Sequence, residues 1–232
     1  MICVAIFLYL LLIAFQSARM GVAGLIVEVG QKEIDRWMVL SRPRSSRELS
    51  RVAGHFEDSR KYYADNPWAL EGLGSMALAR MRLSKVPREA VALTKSARLR
   101  MREALKLRPT SPFLWANLAL SKLYLDEIDE EFFAALRYAI VLGPWEPASQ
   151  LNVLFVGLAA WDRLDAELRQ SIIGVLERGA TRNAAKMLQT VKSFRRFDLL
   201  CGIKDYYLIA GADCRNALDK AKSVTPRRKE GR

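Results

Sequence analysis

One histidine and three cysteines in 232 residues leave almost nothing from which to build a metal centre or a redox pair. His55 stands in Ala53-Gly54-His55-Phe56-Glu57, with no serine or cysteine motif beside it, and reads as a packing or surface residue rather than a catalyst. No cysteine has a metal-ligand partner at usable spacing. Cys201 and Cys214 are either unpaired thiols or, in an oxidising compartment, a disulfide. Only 8 prolines and 13 glycines are present, and they cluster at the ends of periodic segments, which favours helices over a strand-and-turn protein. Gly72-Leu73-Gly74 lacks the lysine and the preceding strand of a phosphate loop and reads as close helix packing. Asp126, Glu127, Asp129, Glu130 and Glu131 lack the glycine and distal glutamate of a calcium loop. They are expected to complement the positive end of the helix that follows. No catalytic, cofactor-binding or metal-ligating residue is assigned, no cofactor is expected, and no binding residue is singled out.

Acidic residues are also in short supply: the formal net charge is +12. Such a balance attracts nucleic acid, anionic lipid and acidic polymers. Here the charge is spread, with arginines at 36, 42, 44, 47, 51 and 60 and again at 80, 82, 88, 98, 100 and 102. Arg227-Arg228-Lys229 forms a separate cluster, with no zinc spacing, helix-turn-helix signature or RNA-binding aromatic motif beside it. A solvated basic surface is the plain reading, and a polyanion contact the sharper one.

What the chain has is apolar periodicity and one long apolar run. Ile2 to Phe15 carries no polar group to mark a face, and Ile2 to Ala18 reaches about 26 Å as a helix, near the minimum for a bilayer. Residues 1–26 are read as an N-terminal membrane anchor or signal segment, in contact with the membrane through residues 2–18. A signal anchor, a signal peptide cleaved near Gly21-Val22-Ala23, and a buried core helix all remain open. Arg19, Lys32, Arg36, Arg42 and Arg44 follow the segment, so the positive-inside rule places the body in the cytoplasm.

Residues 27–64 read as a linking helical region, broken near Ser41-Arg42-Pro43-Arg44 and restarted by a cap at Ser45 or Ser46 with Glu48 in the first turn. Residues 65–215 read as a helical-repeat domain, and 216–232 as a basic, disordered tail. Asn66 and Pro67 open a helix expected to run to about Leu83, and a second runs from about Pro87 to Leu107 with Ala90, Ala97 and Ala104 at seven-residue steps. Pro109 and Pro144 lie 35 residues apart, as do Pro112 and Pro147, and enclose a helix, an acidic turn and a second helix ending at Gly143-Pro144. Leu151, Leu154, Phe155, Leu158 and Trp161 continue the pattern, with a partner helix from Asp165 to Arg178 and one or two further helices in 182–211. Trp68, Trp115 and Trp161 are expected in the core between helices, with a sugar-stacking platform as the alternative; Trp145, between two prolines, is the tryptophan expected to be exposed.

Trp115, Leu118 and Ala119, then Ala139, Leu142 and Pro144, resemble a tetratricopeptide repeat, as do Ala97, Ala104, Leu107 and Pro109 of the preceding helix. Phe132 stands where the family uses a small residue, and the first unit offers only Trp68 and Gly72. The resemblance implies an all-α fold: about three antiparallel hairpins over residues 65–180, stacked as a short right-handed solenoid behind one transmembrane helix. The block Trp115-Ala116-Asn117-Leu118-Ala119-Leu120, Glu127 to Phe132, Ala139, Leu142 to Pro147, Gly157-Leu158-Ala159, Trp161 and Arg178-Gly179 is similar to the bacterial VpsP-like polysaccharide-biosynthesis proteins. That similarity implies a single-pass inner-membrane protein with a periplasm-facing body, against the charge rule. It also implies a non-enzymatic scaffold whose protein partners belong to an exopolysaccharide synthesis or export apparatus. The charge keeps an alternative open, a binding module for acidic polysaccharide or, less readily, nucleic acid.

Overall fold

A computed structural model describes residues 2–40, 45–180, 182–201 and 203. The described residues are all-helical, with no strand among them. The helices are α1 (Ile2–Leu40), α2 (Ser46–Tyr62), α3 (Pro67–Leu83), α4 (Pro87–Leu107), α5 (Pro112–Tyr124), α6 (Glu130–Leu142), α7 (Pro147–Ala159), α8 (Ala166–Gly179), α9 (Ala184–Ser193) and α10 (Phe197–Cys201). Several starts have a local cause. Ser45 and Glu48 form a reciprocal capping box on α2. Asn66 accepts from the backbone of Trp68 and Ala69 ahead of Pro67. Ser111, Asp129 and Asp165 cap α5, α6 and α8 through side-chain oxygens.

The chain divides into two compact units, Met1–Ile128 and Asp129–Arg232. The best-matched repeat segment therefore contributes α5 to the first unit and α6 to the second. Within the first unit, α1 and α2 run antiparallel: Arg19 meets Lys61, Ala23 meets Ser59, and Glu33 meets Arg51. The same holds for α3 and α4, where Glu71 meets Arg108 and Gly74 meets Met101 and Ala97. A core of Trp37, Leu49, Val52, Phe56, Ala69, Leu73 and Met76 joins α1, α2 and α3. Phe56 is 1% exposed, and burying such a ring contributes about 1.5–3 kcal/mol. Its ring occupies the space over Gly72: a Cβ there would lie 2.6 Å from three ring atoms. Glycine is what lets α2 and α3 approach at that level. Ala97 and Ala104 of α4, two of the three alanines at seven-residue steps, are fully buried, as is Met101, while Ala90 is only half-buried.

In the second unit, Phe132, Leu136 and Ala139 of α6, Leu154 and Val156 of α7, Leu168, Ile172 and Val175 of α8, and Met187 and Val191 of α9 are buried. Expected boundaries at Leu83, Pro87, Leu107, Pro112, Leu142, Pro147 and Gly179 match. Two expectations change. The apolar pattern assigned through Trp161 stops at Ala159, and Trp161–Arg163 is a single 3₁₀ turn. Residues read as an anchor followed by a separate linking helix form one unbroken helix, α1, as far as Leu40. The expected break at Ser41–Arg44 and the basic tail lie outside the described residues.

Candidate functional site

Helix α1 has two halves of opposite character. From Ile2 to Val22 every side chain is exposed except Arg19, which is half-buried. Ile2, Phe7, Tyr9, Leu10 and Phe15 present apolar surface on all sides of the helix. From Ala23 onward the helix enters the core: Ala23 is fully buried, Trp37 is 6% exposed, and Val27 and Ile34 pack against the α1–α2–α3 cluster. The helix is long and apolar enough to cross a membrane. The reading of Ile2–Phe15 as a buried core helix is not met, because those side chains are exposed and none of the described residues covers them. The small-residue site Gly21-Val22-Ala23 lies inside continuous helix, with Ala23 sealed against α2.

The junction between the two halves is built from hydrogen bonds. The Ser59 hydroxyl donates to the Ala23 carbonyl at 2.9 Å and accepts from the Asn66 amide at 3.0 Å. The Asn66 side-chain carbonyl accepts from the Trp68 backbone N–H at 3.1 Å. Arg19 donates to the Lys61 carbonyl at 3.4 Å and lies over the Phe15 ring. Beside this junction the Arg108 guanidinium stacks on Trp68, 3.3 Å from the ring centroid, and donates to Glu71 at 2.8 Å. Burial pushes the Glu71 carboxyl above the ordinary carboxylate range, and the Arg108 charge opposes that only in part.

A second polar cluster closes the acidic turn. Glu127 pairs with Arg98 of α4 and, at 3.5 Å, with Lys122, whose side chain is 1% exposed. Burial raises the Glu127 carboxyl, but the hydrogen bond and charge of Arg98, with Lys122, bring it below its usual value. Asp126 takes φ 55 to make the reversal, and Asp129 caps α6. The acidic run is therefore turn architecture, as its position before a helix predicts.

The remaining sequence candidates separate. Trp68 is 54% exposed, not core, because Arg108 rather than an apolar helix covers one face of its ring. Trp115 is half-buried and donates to the Pro109 carbonyl at 2.7 Å. Trp161 is half-buried beneath Arg196, 4.4 Å from its ring centroid. Trp145 is 54% exposed, as expected of the residue between two prolines. His55 is half-buried on α2, 3.7 Å from Glu33. Cys201 is disulfide-bonded, Cys3 is free, and Cys214 lies outside the described residues. No group of three metal-ligating side chains occurs among the described residues. Asn66 was read as a helix opener, but its link through Ser59 to Ala23 was missed by sequence reasoning. A polar serine on the buried face of α2 was its only signal. Comparison with family models, with curated proteins and with solved structures gave no match for this chain.

Proposed function

We propose that this protein is a membrane-anchored, non-enzymatic scaffold that holds protein partners of a bacterial exopolysaccharide synthesis or export apparatus together. The observation that carries the anchoring is the two-faced helix α1, exposed and apolar to Val22 and sealed into the body from Ala23. Helical hairpins such as α3–α4 present long ridges and grooves, the kind of surface that receives a partner's helix or extended segment. The similarity around Trp115 to Gly179 supplies the polysaccharide pathway. A body on the periplasmic side of the inner membrane is supported by the Cys201 disulfide, which suits an oxidising compartment. Retention of α1 is supported by the burial of Ala23, since cleavage there would cut a packed helix.

The test has two arms. In-cell crosslinking of the full chain followed by identification of partners is expected to recover envelope polysaccharide-assembly proteins, and deletion of the gene is expected to reduce secreted polysaccharide. Unchanged polysaccharide output on deletion would sink the pathway assignment. An enzymatic reporter fused after Arg232 fixes the side of the membrane occupied by the body.

The net charge of +12 favours a second reading, binding of an acidic polysaccharide. Ion pairs engage much of the basic surface: Arg51 with Glu33, Arg98 with Glu127, Arg108 with Glu71 and Arg137 with Asp165. Retention of the purified protein on an anionic matrix that collapses between low and moderate salt would support this reading. Absence of retention would remove it.

A further inference from the structure

We infer that the end of the first unit formed by the α2–α3 and α4–α5 turns is a lipid-facing surface, seated on the phospholipid headgroup layer of the membrane that α1 spans. The inference rests on the anchoring proposed above and adds a fixed docking geometry to it.

The argument begins with length. The stretch of α1 before its first hydrogen bond to the body, Ile2 to Ala18, is about 26 Å long at 1.5 Å per residue, near the minimum needed to cross a hydrocarbon layer of about 30 Å. The body is bonded to the next residue, Arg19, and full burial follows at Ala23. No slack chain separates the anchor from the fold, so the level of Arg19 is the edge of the hydrocarbon.

Hydrogen bonds then carry that level into the neighbouring helices. Ser59 binds the Ala23 carbonyl, Asn66 binds Ser59, and Asn66 caps the start of α3 at Trp68. Because α1 and α2 are antiparallel, the C-terminus of α2 lies toward the membrane: Lys61 meets Arg19, four residues nearer the span than Ala23. The α3–α4 pair is antiparallel too, and Arg108 at the end of α4 stacks on Trp68 at the start of α3. The two turns therefore share one end of the unit.

The composition of that end fits a headgroup layer. Tyr62 is 44% exposed, Trp68 54% and Leu107 44%, with Lys61 and Lys106 exposed beside them. Amphipathic rings and long basic side chains are what membrane interfaces enrich. Asp58 offsets the Lys61 charge at 2.6 Å, and Asp65 is exposed in the same turn, so the rings contribute more than the charge. At the opposite end, the α3–α4 turn carries Lys85 and Val86 but no aromatic residue, and Tyr124 at the end of α5, 37% exposed, is less open than Tyr62 or Trp68. Headgroups add about 5–8 Å outside each face of the hydrocarbon, which brackets the turn of α1 from Arg19 to Ala23 and a tryptophan beside it.

The test uses the full-length protein in vesicles of phosphatidylcholine with phosphatidylglycerol, doped with headgroup-spin-labelled lipid. Cys3, the exposed free thiol, is removed as Cys3→Ser. A fluorophore is placed at Ala64→Cys in the α2–α3 turn or at Lys85→Cys in the α3–α4 turn, both exposed. The 17 residues of α3 separate these positions by about 25 Å along its axis. Quenching of at least twofold at position 64 with none at 85 is expected. Equal quenching at both positions, or none at 64 in protein that floats with the vesicles, overturns the seating while leaving the anchor intact. Protein that does not float overturns the anchor, and the seating with it.

Discussion

Ser59 donates its hydroxyl to the backbone carbonyl of Ala23 at 2.9 Å, and both residues are fully buried. The same hydroxyl accepts from Asn66, which is 4% exposed. Ser59→Ala removes both bonds and leaves the Asn66 amide short of an acceptor in a site closed to water. A loss of about 1–3 kcal/mol is expected. Denaturant unfolding of detergent-solubilised protein measures it. A loss below about 0.5 kcal/mol would mean that the junction is not a structural weld, since such small changes are typical of surface substitutions.

In the second unit the contact of α7 with α8 depends on Gly157. A Cβ at this position would lie 2.5 Å from Ile172 Cδ1 and 2.7 Å from Cγ1. Gly157→Ala gains helix propensity but must displace a fully buried isoleucine. A net loss of about 1–3 kcal/mol is expected. Ile172→Val deletes Cδ1 and alone costs about 0.5–1.5 kcal/mol. The double variant is expected to be more stable than the sum of the two losses predicts, because the second change removes the Cδ1 part of the clash made by the first, while the γ-carbon contact remains. Strict additivity in a double-mutant cycle would show that the helices shift apart instead.

Most helix boundaries between Asn66 and Pro147 were legible because they are written in a few local residues. Asn66-Pro67, Ser111-Pro112 and Gly143-Pro144 each pair a cap or a release with a proline, and these signals act within one turn. Ser45 with Glu48 is the same kind of signal. Ser45→Ala is expected to destabilise the first unit by about 1 kcal/mol, seen as a shift in the unfolding midpoint, with Ser45→Asp retaining most of the stability. A full loss in Ser45→Asp would show that the cap oxygen is not what Ser45 contributes.

What was not legible is set by partners distant in sequence. Trp68 reads as core from its position in a repeat, yet its exposure follows from Arg108, 40 residues on. The merger of anchor and first linking helix into α1 likewise depends on Ser59 and Phe56 offering a surface to Ala23 and Gly30. Nothing in residues 19–30 alone states that their helix is covered on one side. The junction was invisible for the same reason: its three polar members come from three helices or their caps.

Two carboxylates of the first unit should respond to acid with opposite sign. Glu71 has its folded pKa raised above the ordinary value of about 4.5, because burial disfavours its charge. Its contribution to stability is therefore fully present below that ordinary value and is lost as pH rises through the raised one. Glu127 has its folded pKa lowered, because the partners Arg98 and Lys122 outweigh its burial. Its contribution is present above the ordinary value and is lost as pH falls through the lowered one. Glu71→Gln and Glu127→Gln remove each titration in turn. Relative to Glu71→Gln, the parent protein is expected to gain stability as pH falls from neutral toward 4.5. Relative to Glu127→Gln, it is expected to lose stability as pH falls further. Unfolding midpoints of the three proteins across that range measure both differences. Parallel curves would mean that neither carboxyl feels its surroundings as the burial of Glu71 and the Arg98 pairing of Glu127 require.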